Sequence, residues 1–221
     1  GFRVVVDLGN GALGPLQRHC AIGDIGAVLL SHLHPDHVMD VLSLYVARSY
    51  DPVRTYPVLP VHGPSGAATH LSAAYGSPGP AGLGAVFDFR TWTGGSARVG
   101  PFTVSVARVA HPVEAWGMRL EHAGRVLTYS ADTGPTDALV DLARDADVFL
   151  CEASFQHGGD NPPDLHLTGR EAGEHATRAG ARRLLLTHVP PWYDAGQAVA
   201  EAATTFTGPL ELATPGAAYD V

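Results

Sequence analysis

Short apolar runs of strand length alternate along the chain with stretches whose apolar residues recur at helical spacing. Residues 3–7 (RVVVD) and 27–31 (AVLLS) are β-branched or aliphatic runs closed by polar or glycine residues, and both read as strands. Residues 36–49 set Val38, Val41, Leu42, Tyr45 and Val46 on one stripe, which predicts a helix. A strand at 58–62 and a helix at 65–75 follow, whereas residues 76–84 (GSPGPAGLG) cannot hold regular structure and read as a mobile loop. Residues 85–130 predict antiparallel strands, among them a hairpin of 116–121 with 125–130 around His122, Ala123 and Gly124. Next come a helix at 136–144, a strand at 148–151 and a loop at 156–167. A helix then opens at Thr168, where Thr-Gly-Arg-Glu fits a capping box with Glu171 reaching back. A strand at 183–187, a helix at 194–206 and a strand at 210–213 complete the pattern. Strands and helices mix in two halves without a dividing linker. This predicts an α/β chain with two sheets covered by helices on their outer faces, in one domain spanning 1–221.

Composition narrows the chemistry. The 221 residues suffice for one sizeable core. Positive charge rests on fourteen arginines with no lysine, so catalysis through a lysine amine is excluded. Asparagine and isoleucine are also scarce, occurring only at Asn10, Asn161, Ile22 and Ile25, a pattern of GC-rich coding that removes functional weight from the lysine gap. A net charge of −8 argues against a broad grip on a polyanion such as nucleic acid and leaves a small anionic substrate open. No apolar run reaches the roughly 18 residues of a membrane span, and no secretory signal opens the chain. With only Cys20 and Cys151 a disulfide framework is not expected, and the cytoplasm is the expected compartment, without a membrane partner.

The twelve histidines are the informative excess. Ser31-His32-Leu33-His34-Pro35-Asp36-His37 lies between a predicted strand and a predicted helix, so its ligand-type side chains converge at one strand end. His32 and His34, two apart, share a face if the chain stays extended, and Asp36 and His37 can serve a second position beyond the turn. Three imidazoles and a carboxylate suit zinc, manganese or iron. His111, Asp132 and His188 each follow another predicted strand and supply the donors that this cluster lacks.

His32-x-His34-x-Asp36-His37, followed by His111, Asp132 and His188, resembles the signature of the metallo-β-lactamase superfamily, and Asp7 resembles its first, structural aspartate. The resemblance implies a four-layer αββα sandwich and two divalent ions, zinc foremost and manganese as the alternative. It implies His32, His34, His111 and Asp132 around one ion and Asp36, His37, Asp132 and His188 around the other, with Asp132 and a hydroxide bridging. Relatives begin with strands ahead of the one matching residues 4–7. The resemblance therefore implies that the first N-terminal strands are missing, leaving one sheet an open edge.

Cys151-Glu152-Ala153-Ser154-Phe155 and His166-Leu167-Thr168 resemble the Glu and His-x-Thr elements of the transfer-RNA 3′-processing nucleases and related phosphodiesterases. Asp36, His166 and Glu152 are thereby the implied catalytic residues, with His166 at the scissile phosphate and Glu152 orienting it. Only twenty residues separate His111 from Asp132, with no basic, glycine-rich arm for an RNA. Stretches such as Asp7-Leu8-Gly9-Asn10-Gly11 and Pro163-Asp164-Leu165-His166 are similar to actinobacterial cyclic-AMP phosphodiesterases of the superfamily. The expectation is a dinuclear phosphodiesterase for a small phosphodiester, a 3′,5′-cyclic nucleotide foremost. The alternatives are a thioester, lactone or lactam hydrolase and a transfer-RNA-processing ribonuclease, and relatives often form homodimers. Of the other histidines, His62 and His157 are candidates for the pocket border, and Trp192 and Tyr193 for stacking on a base. His19, His70, His122 and His175 read as surface or packing residues.

Overall fold

The short aliphatic runs of the first ninety residues pair as a four-stranded, all-parallel sheet in order β1-β2-β3-β4. The computed structural model describes residues 1–76 and 82–221, so residues 77–81 of the expected loop lie outside the described residues. Contacts divide the chain into two units, Gly1–Thr93 and Gly94–Val221.

In the first unit β1 is Arg3–Val6, α1 Leu13–Leu16, β2 Ile25–Leu29, α2 Pro35–Val38, α3 Asp40–Ser49, β3 Leu59–Gly63, α4 Ala67–Tyr75 and β4 Phe87–Thr91. Parallel neighbours need crossovers, and α1, α2 with α3, and α4 supply them. All four strands therefore end at the same edge, which receives Asp7, the His32 segment and His62. Two expectations change here. Residues 87–91, expected in an antiparallel set, pair parallel with β3, because the α4 crossover returns the chain in the same direction. The helix expected at 36–49 is broken at Met39. Residues 8–9 are inserted at the break: Leu8 N–H donates to the His37 carbonyl at 2.8 Å, and Asp40 N–H donates to the Leu8 carbonyl at 3.0 Å. Gly9 permits that approach, since a Cβ there would stand 1.6 Å from the Asp36 carbonyl oxygen. The buried stripe runs through Val38, Val41 and Leu44, while Val46 is exposed. These residues pack with Val28, Leu30, Val61, Leu71 and Phe87 into the first core.

The second unit carries β5 (Gly95–Val99), β6 (Phe102–Arg108), β7 (Trp116–His122), β8 (Arg125–Tyr129), α5 (Asp137–Leu142), β9 (Val148–Glu152), α6 (Gly169–Ala179), β10 (Leu184–Thr187), α7 (Ala195–Ala202) and β11 (Leu210–Leu212). Its seven strands are ordered β11-β10-β9-β8-β7-β6-β5. The expected hairpin is β7–β8: His122 pairs with Arg125, leaving the two-residue turn Ala123-Gly124 with φ of 49° and 76°, the positive pair that suits right-twisted strands. Strands β5 to β8 alternate in direction and β8 to β11 run parallel, so β6, β8, β9 and β10 all point the same way. Their carboxyl ends thus deliver His111, Asp132, Glu152 and His188 to one edge of the sheet.

Helix α6 begins with the expected capping box: Thr168 Oγ1 accepts from Glu171 N–H, and Glu171 Oε2 accepts from Thr168 N–H. Gly169 and Gly173 let α6 press on α7, where added Cβ atoms would meet the carbonyl oxygens of Ala198 and Ala202 at 2.2 and 2.6 Å. Phe149, Leu139, Leu167, Leu184 and Leu186 fill the core between these helices and the sheet. No helix among the described residues is long and apolar enough to cross a membrane.

Candidate metal centre and acid–base pair

In the first unit, the donor-rich turn leaves β2 through Leu30 and Ser31 and is tied to the end of β1. Asp7 Oδ1 accepts Ser31 N–H at 2.7 Å, and its Oδ2 accepts the Ser31 hydroxyl at 2.6 Å and His37 Nδ1 at 2.8 Å. A carboxylate only accepts, so His37 carries its proton on Nδ1 and presents a lone pair at Nε2. Ser31 has one hydroxyl proton, committed to Asp7, so at 3.0 Å it accepts from His32 Nδ1 and leaves Nε2 as the lone-pair nitrogen of His32 also. His32 Nε2 lies 3.0 Å from His34 Nδ1, close to the edge of about 3.3 Å between two donors on a tetrahedral zinc with 2.0–2.1 Å bonds. His32 and His37 are buried, His34 is half-buried, and Asp36 is exposed with Oδ2 3.5 Å from His37 Nε2.

The second unit repeats this logic with different partners. His111 Nδ1 donates to the Leu165 carbonyl at 3.0 Å, and Ser154 donates to the His188 carbonyl at 2.8 Å while accepting from His188 Nδ1 at 2.7 Å. Both imidazoles therefore present Nε2, and that of His188 lies 3.6 Å from Asp132 Oδ2. Such carbonyl and hydroxyl partners hold a ligating histidine in one tautomer and orientation. Bonds between loops align the donors: Gly134 N–H donates to Ala110 O at 2.7 Å, joining the segments that carry Asp132 and His111.

Glu152, fully buried at the end of β9, is clamped by three donors. Its Oε1 accepts Thr133 N–H at 2.7 Å and His166 Nδ1 at 2.9 Å, and its Oε2 accepts Ser154 N–H at 3.1 Å. Donor atoms of Glu152, His166 and His188 all lie within 4.8 Å of one another. One carboxylate thus links the loop after Asp132, the partner of His188, and His166. The neighbouring Cys151 thiol is fully buried, and burial followed by the Glu152 charge pushes it well above its ordinary range, so it is no nucleophile at neutral pH.

Several supports were invisible as functional groups in the sequence: the Ser31 and Ser154 hydroxyls, the Leu165 carbonyl and the Thr133 amide. Backbone conformation marks the same places. Asp7, Ala131, Asp164 and His188 are among six non-glycine residues in the left-handed region among the described residues, with φ of 54°, 56°, 54° and 58°. Such conformations cost of order 1–3 kcal/mol each and persist only where surrounding bonds hold them. His62 stacks on Trp92 with ring centroids 5.0 Å apart, and burial followed by Arg90 keeps it below its ordinary pKa, in the neutral form. His157 and Trp192 are exposed, and His175 is buried in α6 as a packing residue.

Residues 2–189 match the model of the beta-lactamase superfamily domain. The chain is 44% identical over 222 residues to the uncharacterized protein ML1173 of Mycobacterium leprae, covering 99% of this chain and 78% of that one. It is 32% identical over 249 residues to ribonuclease Z of Mycolicibacterium gilvum, covering 96% and 84%. The crystal structure of the metallo-beta-lactamase fold protein YhfI from Bacillus subtilis superposes with a TM-score of 0.86 at 28% identity, covering 98% and 87%. With its histidine- and aspartate-bearing strand ends and a family match over most of its length, this chain belongs to the beta-lactamase superfamily and has the metallo-β-lactamase fold.

Proposed function

We propose that the protein is a metal-dependent phosphodiesterase for small phosphodiesters, of the 3′,5′-cyclic nucleotide class. The carrying observation is the Glu152–His166 pair, a histidine held at Nδ1 by a carboxylate that is itself fixed by two backbone amides. The family pattern assigns His32, His34, His111 and Asp132 to one divalent ion, and Asp36, His37, Asp132 and His188 to another. The donor set fits, because His32, His37, His111 and His188 each have Nδ1 committed to a partner that sets the tautomer. When bound, a pair of zinc or manganese ions supplies Lewis acidity toward a phosphoryl oxygen and lowers the pKa of water.

The protein's own part is proton management. With Nδ1–H on Glu152, protonated His166 delivers its Nε2 proton to the leaving oxygen as the P–O bond breaks, while a water oxygen bonds to phosphorus and the proton it releases passes to solvent. Glu152 stabilises the imidazolium before transfer and holds the ring in place afterwards. A lactam or thioester hydrolase has no need of this pair. The 32% identity to a ribonuclease Z favours an RNA substrate as a second reading. The net charge of −8 and the twenty-residue interval from His111 to Asp132 weigh against it.

The test compares a cyclic nucleotide, bis(p-nitrophenyl) phosphate, a precursor transfer RNA and a chromogenic lactam with the metal-loaded protein. The expected result is turnover of the first two, and a loss on the order of 10²–10⁴ in kcat for His166→Ala. Lactam hydrolysis without diesterase activity, or an unaffected variant, overturns the proposal.

A further inference from the structure

We infer that the cavity beside His166 seats the leaving group of the substrate and selects one that carries no phosphate of its own. This rests on the phosphodiesterase reading. A cavity of about 340 Å³ is bordered by His166 together with Pro135, Phe155, Asn161, Pro162, Pro163 and Asp164. An oxygen receiving a proton from His166 must lie within hydrogen-bond reach of it, so the group attached to that oxygen occupies the space that His166 borders. The volume is at the lower end of the roughly 300–1,000 Å³ of ligand cavities, room for a single nucleoside-sized group.

The walls state what that group is. Phe155 meets His166 edge to face with ring centroids 5.1 Å apart, and with the three prolines it forms apolar surface suited to a flat base or sugar face. The charges at the rim are negative: Asp164 is exposed, and Glu171, which also borders the cavity, keeps its carboxylate on Thr168. None of the bordering residues is an arginine, and the chain has no lysine. Arg170, one residue from Glu171, is paired with Glu174 at 3.2 Å. A second phosphate on the leaving group would enter a rim carrying two acidic residues, where the one bordering cation, protonated His166, is committed to the leaving oxygen, whereas a nucleoside hydroxyl meets no such repulsion. The cavity thereby discriminates against an oligonucleotide leaving strand.

The experiment measures kcat/KM of the metal-loaded full chain on thymidylyl(3′→5′)thymidine and on its derivatives phosphorylated at the free 5′ or the free 3′ hydroxyl. The expected result is a drop of at least tenfold for the derivative bearing its phosphate on the leaving side. Asp164→Asn, which keeps a residue tolerant of the left-handed backbone, should narrow the ratio between that derivative and the parent by at least threefold. Equal turnover of all three diesters, or a ratio unmoved in the variant, overturns this inference and leaves the phosphodiesterase reading standing. A protein silent on all three diesters and on cyclic nucleotides overturns both.

Discussion

Substitutions at Asp7 separate the stability of the first unit from its capacity to hold metal. In Asp7→Ala three donors, Ser31 N–H, the Ser31 hydroxyl and His37 Nδ1–H, lose their acceptor in a place where the aspartate side chain is only 11% exposed. Hydrogen bonds to a charged group are worth about 1.5–3 kcal/mol each, and three that share one carboxylate do not add fully, so the expected loss is about 4 kcal/mol. Alanine at φ 54° costs about 1 kcal/mol more. Against a total stability of about 5–15 kcal/mol, that variant is near unfolding. Asp7→Asn behaves differently. Asparagine tolerates the backbone, and its carbonyl still accepts Ser31 N–H, so the cost should be about 1–2 kcal/mol. Its NH₂ group, however, now faces His37 Nδ1 and must donate there, which moves the imidazole proton to Nε2 and removes the lone pair proposed to ligate. Zinc affinity should fall by about 10–100-fold, as for other losses of a partner behind a ligand. Urea unfolding of metal-free protein measures the first quantity, and competition with a chromogenic chelator measures the second. An Asp7→Asn variant that binds zinc as tightly as the unaltered protein refutes the tautomer argument.

Two further perturbations address how the rest of each unit is held. Gly9→Ala would place Cβ 1.6 Å from the Asp36 carbonyl oxygen, so residues 8–9 must withdraw from the helix break and release the Leu8–His37 and Asp40–Leu8 bonds. We expect a loss of about 3 kcal/mol or more in thermal unfolding; an unchanged Tm would show that the break does not depend on this contact. Asp147 provides a pH signature. Burial works to raise its carboxyl, but Val126 N–H, Arg182 and Arg125 outweigh it and hold the group below its ordinary value. A depressed folded pKa contributes stability above the unfolded value, near pH 4, and that stability is lost as pH falls through the folded value. Urea midpoints of the unaltered protein should therefore fall more steeply below pH 4 than those of Asp147→Asn, and parallel curves would refute the assignment.

Local pattern carried much of the architecture. The runs at residues 3–7, 27–31, 148–151 and 183–187 became β1, β2, β9 and β10, because apolar residues between turn formers are a local signal. Thr168 and Glu171 announced the start of α6 for the same reason, since both halves of a capping box lie within one turn. The candidate donors His32, His34, Asp36, His37, His111, Asp132 and His188 were proposed from type and spacing, and Glu152 and His166 from resemblance. The break at Met39 was not, because its cause, the insertion of residues 8–9, lies about thirty positions away. Nor was the parallel pairing of Phe87–Thr91, which depends on the path of a crossover, or the burial of Leu44 in place of Val46.

By itself, then, the sequence determined the elements, their approximate bounds and the chemical inventory of the strand ends, all properties of neighbouring residues. The tertiary structure alone decided which ring nitrogen each histidine presents, through Asp7, Ser31, Leu165 and Ser154, and which backbone amides, those of Thr133 and Ser154, fix Glu152. It also decided the left-handed backbone at Ala131 and His188. A proton's position on an imidazole depends on whether the atom facing it can only accept, and that atom belongs to a segment brought there by the packing of distant strands.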